Sequence, residues 1–176
     1  MIAEYGVTAW SHPWLRIAEP TRVTRPNPSL PRARNLARGD GITELTVAPG
    51  LLTASSGQYR LRIEFPLWPA ESAMVVGKAL ADLPPSLMPG DLPDALAAEL
   101  RAHDISIAPA PEELTAHCDC RDRRPHCVHV LAALYTLVQA VDERPALAVE
   151  LRGVITTTAD PDWIPLSELN VAGFYG

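Results

Sequence analysis

The sequence predicts an α+β protein in which a small antiparallel β-meander and several helices surround a cysteine- and histidine-rich finger. Three observations predict this class. Residues 42–65 alternate apolar and polar side chains around two turn signals, as half-buried strands do. Segments 71–83 and 92–103 have helical spacing, and 130–141 is apolar all round, as a buried helix is. With 176 residues, 47% of them hydrophobic, the chain can bury a substantial core.

Residues 1–41 form the first segment, which we expect to be an extended lead rich in proline and arginine. Its proline-broken stretch, PTRVTRPNPSLPRAR, argues against a helix or a central strand because proline lacks an amide hydrogen and restricts the preceding residue. Trp10 and Trp14 are better explained as anchors that pack onto the body of the protein than as platforms for stacking bases.

The second segment, 42–113, contains the meander and two helices. Pro49-Gly50 and Ser55-Ser56-Gly57 are turn signals between the three strands. Tyr59, Leu61, Ile63 and Phe65 alternate with charged residues, which predicts a strand with one buried face. The sequence DISIAP, at 104–109, is a candidate for a further short strand.

The third segment, 114–142, holds all three cysteines of the chain and a buried helix. The spacing C-x-C-x6-C-x-H is formed by Cys118, Cys120, Cys127 and His129. Three thiolates and one imidazole make a four-coordinate shell that suits a structural Zn²⁺ and leaves no open position. Two ligands one residue apart on extended backbone lie on the same side of a strand, so Cys118 and Cys120 can bind one ion. The sequence therefore predicts one structural zinc per chain.

A disulfide or a catalytic thiol accounts for the cysteine cluster less well than a metal does. A disulfide would leave one of the three thiols unpaired and does not suit a reducing compartment. A nucleophilic cysteine beside a histidine does not need three thiols at this spacing. His117 and His126 are rival ligands in place of His129, but His117 is expected on the opposite face of the strand and His126 is directly adjacent to Cys127.

The last segment, 143–176, is predicted to be a short C-terminal helix over 144–154 and an irregular tail. Trp163, Phe174 and Tyr175 are its expected anchors.

Composition and missing motifs narrow the function. The chain has no apolar run long enough for a bilayer and no basic-then-apolar start, so we expect a cytoplasmic protein without membrane contact. It has neither a glycine-rich phosphate loop nor a G-x-S-x-G turn, and its acids over 82–113 are better explained as a solvated face than as paired catalytic carboxylates. We therefore expect no enzyme activity and no small-molecule substrate.

The arginines are the candidate contact residues. The net charge of −6 argues against a general nucleic-acid coat, but the charge is uneven. Residues 16–38 hold six arginines and one acid, and the finger loop holds three more arginines. A solvated surface remains an alternative to a nucleic-acid or carboxylate contact for each group. The candidates are Arg121, Arg123 and Arg124 in the loop, and Arg32, Arg34 and Arg38 in the lead.

The C-x-C-x6-C-x-H pattern followed by a helix resembles the SWIM zinc finger. Ala132 matches the small residue that often follows the histidine there. The resemblance to bacterial SWIM zinc finger proteins extends to the opening YGVTAWSHPWL, to PRARNLARGDGITELTVAPGLLTASSGQYRLRI and, faintly, to the closing WIPLSELNVAGFYG.

The resemblance implies a binding module rather than a catalyst. SWIM fingers are thought to contact DNA, proteins or both, and the bacterial proteins are similar to accessory proteins of Swi/Snf-type helicase-like ATPases. It therefore implies a zinc-binding adaptor whose partner is DNA and/or a helicase-like ATPase or another subunit. The alternative is a pure protein-interaction subunit of a multi-subunit complex with no nucleic-acid contact.

Overall fold

A four-stranded antiparallel sheet with the order β1-β2-β3-β4 forms one side of the protein. The computed structural model describes residues 5–20, 27–84, 87, 90–122, 124 and 126–155. The strands are β1 (Thr43–Ala48), β2 (Leu51–Ser56), β3 (Tyr59–Glu64) and β4 (Thr115–Cys118). The first three confirm the predicted meander. The fourth comes from a segment 50 residues further along the chain, and it joins the sheet beside β3.

The helices confirm the α+β class. They are α1 (His12–Ala18), α2 (Leu30–Arg38), α3 (Ala70–Ala81), α4 (Asp94–Ala102), α5 (Val128–Glu143) and α6 (Ala146–Leu151). The predicted helices over 71–83, 92–103, 130–141 and 144–154 correspond to the last four. Within the described residues no helix is long and apolar enough to cross a membrane.

Helix α5 is the centre of the core. Nine of its residues are buried, and it packs against α1, α2 and α6 as well as β3 and β4. Small and branched apolar side chains on every side let neighbouring elements approach it closely, as expected for a buried helix. Because its first turn follows the finger loop directly, the core holds one end of that loop in place.

Two sequence-based expectations for these regions are wrong. The lead is not extended where it is described, since Pro13 and Pro31 stand in the first turns of α1 and α2. At that position the missing amide hydrogen breaks no helical bond, so proline begins these helices instead of preventing them. Residues 104–109 form no strand; Ile105 and Ile107 are buried there without pairing with another strand.

The N-terminal segment is bound tightly to the end of α5. The Asp142 carboxylate accepts hydrogen bonds from the amides of Gly6 and Thr8, 3.0 and 3.1 Å away, and from the Ser11 hydroxyl. Trp10 and Trp14 are 0% and 1% exposed, which confirms that they anchor the lead to the core. The anchors predicted in the tail, Trp163, Phe174 and Tyr175, lie outside the described residues.

Candidate metal centre

The site begins at the end of β4. Cys118 is paired with Leu61 of β3 and His117 is paired with Arg62, so the two neighbours point to opposite faces of the sheet. The amide of Asp119 continues the strand by donating to the carbonyl of Arg60 at 3.1 Å. This bond holds the backbone between Cys118 and Cys120, so that both thiols can lie on the inner face.

The other two ligands come from the start of α5. Cys127 is the N-cap residue of the helix, and its carbonyl accepts the first helical hydrogen bond, from Leu131, at 3.0 Å. His129 follows in the first helical turn. The amide groups at a helix N-terminus carry partial positive charge, which favours a negative thiolate at the Cys127 position.

The four predicted ligands converge on one point. Among the described residues, Cys118, Cys120, Cys127 and His129 form a group whose ligand atoms all lie within 4.8 Å of one another, and this group can hold a metal ion. The Cys118 Sγ and His129 Nδ1 atoms are 3.8 Å apart. Cys127 is buried and the other three are half-buried. The arrangement joins the edge strand of the sheet to the central helix of the core.

The rival histidines are elsewhere. The His117 side chain is 77% exposed on the outer face of the sheet, with Nε2 3.5 Å from the Asp119 carboxylate. Neither His117 nor His126 belongs to the converging group. His126 is half-buried, and burial lowers the pKa of its imidazole.

Burial changes the pKa of three of the four candidate ligands. Burial raises the pKa of Cys118 and of Cys127, because a negative thiolate loses its hydration there. Burial lowers the pKa of His129, and the positive charge of Arg32 lowers it further. In the absence of a cation, burial therefore opposes ionisation of the Cys118 and Cys127 thiols. A metal ion supplies the positive charge that ionises the thiols, so metal uptake releases protons.

Some of the candidate contact arginines form ion pairs with carboxylates of the described residues, and others do not. Arg32, Arg38 and Arg121 are exposed and form no ion pair within the parts of the chain that the structure describes. Arg124 is bound by the Asp122 carboxylate through its Nε at 3.0 Å and its Nη2 at 2.6 Å, and these bonds lower the pKa of Asp122 to about 2. Arg123 lies outside the described residues.

Arg34 is part of an internal network. Its guanidinium donates to the Glu19 carboxylate at 2.5 Å and to the Tyr135 hydroxyl oxygen at 3.1 Å. The Tyr135 hydroxyl in turn donates to Glu19 at 2.5 Å, and burial raises the pKa of that phenol. This network connects α1, α2 and α5, so Arg34 already has partners inside the fold.

The roles of two residues near the metal centre were not predicted from the sequence. The Tyr59 ring lies against the His129 ring, with centroids 4.8 Å apart and planes at 31°. Arg60 contributes the carbonyl that accepts from Asp119. Strand alternation places Tyr59 on the inner face, but 70 residues separate it from His129, and nothing local in the sequence links the two.

The chain is similar to a protein of Mycobacterium tuberculosis (strain ATCC 25618 / H37Rv) with the name "Uncharacterized protein Rv2102". The two are 28% identical over 155 residues, which cover 83% of this chain and 55% of the relative. The chain thus spans about half the length of the curated relative it matches. No protein-family profile matches the chain, and no solved structure matches it.

Proposed function

We propose that this protein is a zinc-binding, non-catalytic adaptor that contacts DNA and/or a helicase-like ATPase or other protein partner through a SWIM-type finger. The observation that carries the proposal is the closed set of four ligands at Cys118, Cys120, Cys127 and His129. Such a set holds a fold together and offers no open position for a substrate or a water molecule.

Zinc is the metal that this donor set suits best. Three thiolates and one imidazole favour zinc over magnesium or calcium, which prefer oxygen ligands. In a tetrahedral site with Zn–S bonds of about 2.3 Å and Zn–N bonds of about 2.0 Å, neighbouring ligand atoms are about 3.5 to 3.8 Å apart. The shorter value is for a sulfur–nitrogen pair, so the Cys118 Sγ and His129 Nδ1 atoms, 3.8 Å apart, would move about 0.3 Å closer on binding the ion.

The contact surface is proposed at the exposed arginines beside the finger. Arg121 follows Cys120 directly, and Arg32 on α2 acts electrostatically on His129, so both lie near the metal centre. The Arg60 carbonyl accepts from the Asp119 amide, but the Arg60 side chain is exposed on the outer face of the sheet, opposite the thiols, and does not belong to this group. Because guanidinium groups bind phosphate oxygens in a fork, a rim of this kind suits a nucleic-acid backbone.

The protein-only alternative is favoured by α3. Met74 and Val75 are 68% and 46% exposed on that helix, and exposed apolar side chains side by side are suited to a protein contact. The net charge of −6 also weakens long-range attraction to DNA.

Replacing both Arg32 and Arg121 with alanine is expected to weaken DNA binding while metal content and folding stay unchanged. If each residue neutralises one phosphate, the slope of log affinity against log salt falls in magnitude by about two units. The measurement is a fluorescence-anisotropy titration with duplex DNA between about 50 and 200 mM salt.

Two matched variants make this test specific. Arg101→Ala removes an exposed arginine on α4, outside residues 114–142, and is expected to keep the wild-type slope. Arg124→Ala removes an arginine that Asp122 already neutralises and is expected to have a small effect. If the wild-type protein binds no DNA even at low salt, the DNA contact is refuted and the protein-only alternative takes its place.

A further inference from the structure

The orientation of a histidine ligand depends on what its ring touches. The terminal torsion of a histidine side chain is broad and roughly two-fold, and a half-turn exchanges Nδ1 with a ring carbon, so Nδ1 can bind a metal only when the ring is held in one of the two orientations. In most metal sites the second nitrogen donates to a carboxylate, carbonyl or water, and that bond selects the coordinating nitrogen. Among the described residues, however, no group accepts a hydrogen bond from Nε2 of His129.

The Tyr59 ring packs against the imidazole ring of His129 and so limits the rotation of that ring. The ring centroids are 4.8 Å apart with planes at 31°, which is within the usual range for packed aromatic rings. In this orientation His129 Nδ1 faces Cys118 Sγ at 3.8 Å. Turning the imidazole over would point a carbon atom at the thiols, and large rotations would bring its edge into the Tyr59 ring.

The same hairpin also holds the first two cysteines. Tyr59 is the first residue of β3, directly after the turn at Gly57 and Gln58. The carbonyl of the next residue, Arg60, accepts a hydrogen bond from the Asp119 amide, and Leu61 is paired with Cys118 of β4. Consecutive residues of one strand therefore position ligands from both halves of the finger.

We infer that Tyr59 is a positioning residue of the metal centre, which selects Nδ1 of His129 as the coordinating nitrogen and pre-organises the site for its ion. This inference rests on the proposed zinc-binding function and adds a residue outside the ligand motif. The aromatic ring carries the effect, since no hydrogen bond of the Tyr59 hydroxyl is found among the described residues.

The test measures the affinity for the metal and the coordinating nitrogen. Tyr59→Leu is expected to weaken Zn²⁺ binding in a chelator competition by about 10- to 100-fold, the usual effect of losing a supporting group around a metal ligand. Tyr59→Phe keeps the ring and is expected to bind as the wild type does. Long-range ¹H–¹⁵N spectra of the zinc-loaded wild type should show Nδ1 coordination, and Tyr59→Leu should show altered or mixed coordination.

Tyr5→Leu is the matched control. Tyr5 is also half-buried and packs on an aromatic ring, that of Tyr135 at 4.9 Å, but it is not next to a ligand. It is expected to leave Zn²⁺ affinity unchanged. The Co²⁺-loaded proteins offer a second readout, because the thiolate charge-transfer and d–d bands report the ligand geometry.

The possible failures are distinguishable. Nε2 coordination in the wild type would overturn the inference without any variant, as would equal affinities of Tyr59→Leu and the wild type. A loss of affinity in Tyr59→Phe as large as in Tyr59→Leu would overturn the role of the ring. Absence of any Zn²⁺ uptake by the wild type would refute the proposed function, and this inference with it.

Discussion

Cys127→Ser is expected to abolish metal binding and to lower the stability of the protein. Cys127 is the least exposed of the four ligands, at 2%, and no other thiol within the described residues can replace it. It is also the N-cap residue of α5, where its side chain makes no cap hydrogen bond and serine is a preferred residue, so the substitution removes the ligand without removing a helix cap. The loss can therefore be attributed to the metal.

The expected loss of stability follows from the linkage between metal binding and folding. An ion that binds only the folded chain stabilises it by about 4 kcal/mol when its free concentration is a thousand times its dissociation constant. Elemental analysis should fall from one zinc per chain to none, and the denaturation midpoint should match that of the wild type in chelator. Since α5 stays packed against α1, α2 and α6, we expect the loop between Cys118 and Cys127 to lose its structure first.

Two histidine variants test the choice of ligand. His126→Ala changes the residue next to Cys127, and His117→Ala changes the residue next to Cys118. Both are expected to keep one zinc per chain, because neither side chain reaches the converging group. Loss of zinc in either variant, or its retention in Cys127→Ser, would contradict the assignment of the four ligands.

Trp14→Ala is expected to destabilise the whole protein by about 3 to 5 kcal/mol, the usual cost of emptying a buried tryptophan site. Trp14 is 1% exposed and meets the ring of Phe65 edge-on, with centroids 5.4 Å apart. Its Nε1 has no hydrogen-bond partner among the described residues. Trp14→Phe therefore removes volume without breaking a hydrogen bond, and its effect should be smaller.

Val7→Ala is the control in the same segment. Val7 is 60% exposed, and the change should stay within about 0.5 kcal/mol. Urea denaturation gives the free energy of unfolding and the m value together. A Trp14→Ala variant within about 1 kcal/mol of the wild type would show that the lead does not belong to the cooperative core.

Features that depend on near neighbours in the chain could be predicted from the sequence alone. Strand alternation over 42–65 predicted β1 to β3, and apolar spacing predicted α3 to α6. The rule that consecutive side chains of a strand alternate also separated His117 from Cys118. The prediction of an extended lead was wrong because the effect of proline depends on its position: proline ends a helix from within but can begin one.

The sequence by itself thus determined the fold class and the four residues able to hold a metal ion, because chelate spacing and hydrophobic periodicity are local properties. Only the tertiary structure decided which arginines stay free, because the partners of Arg34 lie 15 and 101 residues away in the chain. It alone brought Tyr59 against His129. Contacts of this kind form when β3 and α5 pack on one core, and no spacing along the chain encodes them.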